Sequence, residues 1–211
     1  MSSDAAKERS LDAAVFKSGN AYLTGLLAVV GLLAYVARSG FPSSPAFPRW
    51  IAIWLLISSA ICSWDASFVF NRQTALDSFN HPLWSPYKDY VQVDRLYGKV
   101  DNDFVWSQSV LNVLEICINL LALNFLSRRS FRKAAVTALV ACAMTSSKTI
   151  LYHVMEISCH GTPRSNTVQN DWPTFLTLYV FPNGVWIWVP MLACFQLGAR
   201  LVAEPTNPKR S

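Results

Sequence analysis

Gln108, Asn112, Glu115 and Asn119 follow one another at offsets of four, three and four residues inside an apolar stretch long enough to cross a bilayer. At about 100° per residue these offsets stack on one helical face. Hydrocarbon tolerates such groups poorly: a carboxylate at the bilayer centre costs roughly 2.5–3.5 kcal/mol even on insertion scales. The face must therefore turn inward, to a pocket. Three further apolar stretches carry polar sets at the same kind of spacing: Ser58, Cys62 and Asp65; Thr145, Lys148, Tyr152 and Glu156; Tyr179, Asn183 and Trp186. All four faces can be turned toward a single intramembrane cavity.

Asp65 is the acid with the clearest chemistry. A desolvated carboxyl with no cation beside it holds a proton at neutral pH and can give it to an alkene. Lys148 supplies the rival account, because a pair with Asp65 or with Glu115 would be structural and would leave nothing to react. Trp186 and the tyrosines could stabilise a carbocation through their ring faces, or serve as packing and membrane-belt aromatics. His153 and Glu156, with His160 nearby, are three residues apart but lack a second ligand pair, so an interfacial histidine is expected there and not a metal site.

These residues need membrane helices to position them. With 52% apolar and 15% charged residues in 211, the chain is too hydrophobic for an average soluble domain. Five runs are long enough to span: about Tyr22–Ala37, Trp50–Phe70, Phe104–Leu126, Ala134–Ile157 and Pro173–Val202. The last is long enough to need tilt or a kink, for which Pro182 and Pro190 are the obvious causes. The expected architecture is all-α and integral to the membrane, a bundle of five transmembrane helices with an interfacial cap between the second and third. Residues 1–20 read as a polar tail without a signal peptide, 21–202 as one membrane domain, and 203–211 as a short C-terminal tail.

The net charge of +5 reports orientation, not nucleic-acid binding, since the basic residues form no aromatic-interleaved patch. Arg128, Arg129, Arg132 and Lys133 lie between the third and fourth spans with no acid among them, which places that loop in the cytosol. Alternation then puts the N-terminus on the lumenal side and the C-terminus in the cytosol. Five scattered cysteines without a Cys-x-x-Cys pair indicate neither a disulfide framework nor a thiolate metal site.

The segment Lys88-Asp89-Tyr90-Val91-Gln92-Val93-Asp94-Arg95-Leu96-Tyr97, followed by Asp101-Asn102 and Phe104, resembles a stretch of the emopamil-binding proteins. These belong to the EXPERA group, with the sterol Δ8–Δ7 isomerases. Asn183-Gly184-Val185-Trp186 with Pro190 resembles that family's last-helix signature, and Leu151-Tyr152 with Glu156 resembles its fourth helix. The similarity covers about residues 50–200. It implies a bundle in the endoplasmic reticulum membrane that holds a flat hydrophobic molecule and needs no cofactor.

In the isomerases a protonated acid adds H⁺ to a ring alkene, and a second group removes a proton from the adjacent carbon. Carried over, the family's second-helix acid falls on Asp65, and its last-helix Asn and Trp fall on Asn183 and Trp186. Ile61 stands where the family has His, and Gln108 where it has a third-helix Glu. An amide cannot replace a carboxylate in proton transfer, so the resemblance implies a rearranged mechanism. The expected activity is an isomerase or cyclase acting on an olefin of a sterol-, terpenoid- or polyketide-like substrate, with Asp65 as proton donor. Glu115 is the expected acceptor if it faces the cavity beside Asp65, and a strut if it meets Lys148. Gln108, Asn112, Lys148, Tyr152, Tyr179, Asn183 and Trp186 are the expected substrate-binding residues. The alternative is a non-catalytic sterol or lipid binder or trafficking protein of the same group. The expected partners are the hydrophobic substrate and membrane lipid, with a homodimer left open.

Overall fold

The computed structural model describes residues 47–77, 82–157 and 171–203. All of them belong to one compact unit, Phe41–Ser211. The first expected span, the N-terminal tail, His160 and the residues from 204 onward lie outside the described residues. Those described are helical throughout their ordered elements. Among the described residues, four helices are long and apolar enough to cross a membrane, the pattern of a multi-pass membrane protein.

The first is α1 (Arg49–Phe70), entered from Pro48 in an extended conformation. Proline suits that position because it has no N–H to leave unpaired. Asn71 closes the helix, its backbone N–H reaching the carbonyls of Phe68 and Val69 and its side chain that of Ser67. Two short helices follow, α2 (Arg72–Asp77) and α3 (Tyr87–Val93). The long α4 (Asp103–Ser127) starts where the Asn102 side chain accepts from the Val105 N–H at 2.9 Å, and Asp103 complements the dipole of the first turn. Its end is tight. Arg129 adopts φ 56°, and the N–H groups of Arg129 and Ser130 return to the carbonyls of Leu126 and Phe125. The chain then reverses directly into α5 (Phe131–Ile157).

The last membrane-length stretch has three parts: α6 (Trp172–Phe175), a π-helical turn (Leu176–Val180), and α7 (Phe181–Ala203). The wide turn has a local cause. A proline ring clashes with the carbonyl four residues back in a regular α-helix. Here the Phe181 N–H, one residue before Pro182, reaches the carbonyl of Leu176 five residues back, which inserts an extra residue into the turn. Of the two prolines expected to perturb this span, Pro182 is the one beside the irregular turn, whereas α7 runs through Pro190.

Helix α1 packs on α4, α4 on α5, and α5 on α7. Small residues permit close approach: Ala134, Ala135, Ala138, Ala141 and Cys142 of α5 are almost completely buried. The outward faces are the reverse of a soluble protein's. Ile53 and Ile57 on α1, Val110, Leu114 and Leu121 on α4, and Trp188, Leu192 and Phe195 on α7 are all exposed. Glu115, Asn119, Ser58 and Thr145 are buried instead. Polar groups inside and large apolar groups outside is the arrangement hydrocarbon requires.

Candidate functional site

The polar faces of α1, α4 and α5 meet around two carboxylates set in different surroundings. Asp65, five residues before the end of α1, borders a cavity of about 500 Å³. Tyr87, opening α3, donates from its phenol to Asp65 Oδ1 at 2.9 Å. The Tyr97 phenol stands 2.6 Å from Oδ1 and 2.7 Å from Oδ2. The Asn112 amide of α4 donates to Oδ2 at 3.0 Å. A phenol brings one hydrogen, so Tyr97 can donate to only one of its two close oxygens at a time. A proton on Asp65 would fill the other contact in the opposite direction.

The tyrosines are fixed by stacking. Tyr87 lies on Phe68 with centroids 3.9 Å apart and planes 3° from parallel, and Tyr97 is parallel to both at 6.2 Å. Tyr90 meets Tyr97 edge-on at 5.3 Å. Burial, reinforced by the negative field of Asp65, pushes the Tyr87 and Tyr97 phenols well above the usual tyrosine range. Burial followed by Asp94 does the same to Tyr90. All three stay protonated at physiological pH, and Tyr87 and Tyr97 therefore remain donors toward Asp65.

The segment carrying Tyr97 is held by two buried ionic groups. The Arg72 guanidinium donates to the carbonyls of Val100 at 2.8 Å and of Tyr97 and Asn102 at 3.4 Å. Asp94 accepts from the Leu96 N–H at 3.1 Å and from the Tyr152 phenol at 2.7 Å. These bonds make the 94–102 connection a fixed wall.

The second carboxylate, Glu115, is completely buried and does not border the cavity. Lys148 of α5 lies 2.9 Å from Oε2, and Ser58 of α1 donates to Oε1 at 3.0 Å. Lys148 Nζ also donates to Asn112 Oδ1. One amide thus joins the two corners, giving its N–H to Asp65 and taking one from Lys148. Between the two acids, Lys148 pairs with Glu115.

Of the residues expected to form a site, Asp65, Gln108, Asn112, Lys148, Tyr152, Asn183 and Trp186 border the cavity together. Two are placed elsewhere. Glu115 is withdrawn behind its ion pair, and Tyr179 is buried with its ring stacked on His153 at 5.2 Å. The Tyr179 carbonyl accepts from the Asn183 side chain at 2.8 Å, which fixes that amide at the cavity edge. Trp186 meets Trp54 of α1 edge-on at 5.3 Å. Leu178 of the π-helical turn and Ile61, Trp64 and Pro86 supply apolar wall, and Asp89 of α3 adds a second carboxylate to the lining. Cavities of this size and lining suit a drug-sized hydrophobic molecule.

Sequence reasoning missed Tyr87 as a partner of Asp65 and gave Tyr97 no role beyond its motif. Among the described residues, no group of three His, Cys, Asp or Glu side chains is arranged to hold a metal ion. Comparison with protein-family models, with curated proteins and with solved structures yields no match.

Proposed function

We propose that this protein is a membrane-embedded isomerase or cyclase that moves a proton on an olefin of a hydrophobic sterol-, terpenoid- or polyketide-like substrate. The observation that carries this reading is Asp65: a carboxyl on the wall of a largely apolar cavity, bonded to two phenols and an amide, with no cation among the described residues in direct contact. Every one of those partners is neutral, so either protonation state of Asp65 can be accommodated by reversing a phenol bond. A group of that kind can give a proton to one alkene carbon and take one from its neighbour. Trp186 and Tyr90 present ring faces or edges to the same space, where a carbocation would form.

Glu115 has no part in this version, because Lys148 and Ser58 hold it outside the cavity. Asp65 serves as donor and as acceptor. The finer architecture belongs to the same proposal: a fifth span over 22–37, an interfacial cap formed by 71–103, and residence in the endoplasmic reticulum. The basic turn at Arg128–Lys133 faces the cytosol, with the N-terminus lumenal and the C-terminus cytosolic. The likeness to emopamil-binding proteins in 88–97 and 183–190 supports this reading.

The test is incubation of the purified protein in lipid nanodiscs with olefinic sterols, terpenoids and prenylated polyketides in D₂O. Mass spectrometry should find one of them rearranged and carrying deuterium, and Asp65→Asn should remove both changes while the protein still inserts. Withdrawal of Glu115 from the cavity favours a second reading, a lipid-binding protein with a single cavity-facing acid in its membrane helices. Saturable binding with every lipid returned intact and unlabelled would establish it.

A further inference from the structure

The part of the cavity wall contributed by α4 and α5 has hydrogen-bonding capacity that no described residue uses. An ammonium has three N–H bonds. Lys148, only 9% exposed, directs one of them to Asn112, forms its ion pair with Glu115, and borders the cavity. The Asn112 amide directs one N–H to Asp65 and has a second. Gln108, also on the cavity wall, uses its amide to donate to the Lys148 carbonyl at 3.2 Å and likewise keeps a second N–H. Three donor side chains from two helices therefore border the same largely apolar cavity.

Building on the proposed function, we infer that the substrate carries a carbonyl oxygen, which docks on Lys148, Asn112 and Gln108 while the reacting carbon lies against Asp65. The charge balance selects a neutral acceptor. Lys148 and Glu115 already cancel, so a carboxylate or phosphate would bring uncompensated negative charge beside Glu115 and Asp65. A carbonyl brings lone pairs and no charge. A hydrocarbon would cover these donors and leave them unpaired, which is the kind of loss that makes polar sites reject their deoxygenated analogues. The spacing also agrees. Asn112 touches both Asp65 and the Lys148 ammonium, so the oxygen site and the proton-transfer site are one side-chain amide apart. That places the carbonyl and the olefin close together on the same ligand.

The probes are androst-4-en-3-one, the corresponding 3-alcohol and the 3-deoxy hydrocarbon, titrated into the protein in nanodiscs. The ketone should bind roughly ten- to a hundredfold tighter than the hydrocarbon, with the alcohol between. A ¹³C label at C3 should show a lowered carbonyl stretching frequency in the bound state. Lys148→Met alone strands Glu115, so the informative variant is Lys148→Met with Glu115→Gln, which keeps the interior neutral. There the preference should fall to within about twofold and the carbonyl frequency return to its value in lipid. Asp65→Asn should keep the preference. A ketone that binds no tighter than the other two, or not at all, overturns the inference. So does a preference unchanged in the double variant. Absence of deuterium transfer in the unaltered protein, with the preference intact, would refute the catalytic proposal alone.

Discussion

Asp65 and Glu115 belong to adjacent helices, and the same amide, Asn112, neighbours both regions. Glu115 has a cation, a hydroxyl and no exposed surface, away from the cavity. Asp65 has three neutral donors and a cavity. The contrast shows how a membrane interior divides two acids between tasks. Pairing with a cation fixes one carboxylate as a charged link among α1, α4 and α5. Neutral partners leave the other free to change its proton.

The sharpest division between the two corners is in what each loses on neutral replacement. Asp65→Asn should reduce deuterium transfer by about 10²–10⁴-fold, the usual weight of a positioned acid or base, with little change in the thermal midpoint. Glu115→Gln should instead lower stability by about 3–5 kcal/mol, because Lys148 is left buried and unpaired. Adding Lys148→Met should restore most of it, read by thermal unfolding in nanodiscs. Equal loss of activity and equal loss of stability in the two single variants would erase the distinction.

Tyr97→Phe tests whether neutral donors matter at the Asp65 corner. Removing one phenol from a carboxyl should cost about 1–3 kcal/mol in transition-state free energy, visible in the rate of deuterium transfer, with the Glu115 corner unaffected.

Alkaline titration reads the same corner more gently. Tyr87 and Tyr97 have folded pKa values above their unfolded value near 10. Their contribution to stability is therefore intact below about pH 10 and is lost as pH rises through the folded values. Tyrosinate absorbance of these two should lag behind that of exposed tyrosines, and unfolding should accelerate where it appears. The smallest effect serves as a control remote from both acids. Arg129→Gly relieves a left-handed backbone and should stabilise the α4–α5 turn by up to about 1 kcal/mol, leaving proton transfer unchanged.

The four described spans were legible because a run of apolar residues sets their length: Trp50–Phe70 was expected where Arg49–Phe70 is found, and Phe104–Leu126 where Asp103–Ser127 is found. Periodicity also indicated which residues share a helical face. It could not say how far each helix is rotated about its axis, and that rotation decides partners. Lys148 therefore had two acids to choose from, and Glu115 had two destinations. Tyr87 was hidden for a different reason. An aromatic residue just outside a span has the composition of a membrane belt, and only the return of the 82–102 connection onto α1 turns its phenol toward Asp65.

The π-helical turn before Pro182 gives the last helix a property that depends on counting and not on chemistry. One residue inserted into an α-helix advances every later side chain by about 100°. Asn183 and Trp186 owe their aim into the cavity to that single added step, so the turn acts as a gear tooth between the entrance of the span and its working face. Removing one residue between Leu176 and Val180 would leave both side chains in the sequence, chemically intact, and turn them toward the lipid.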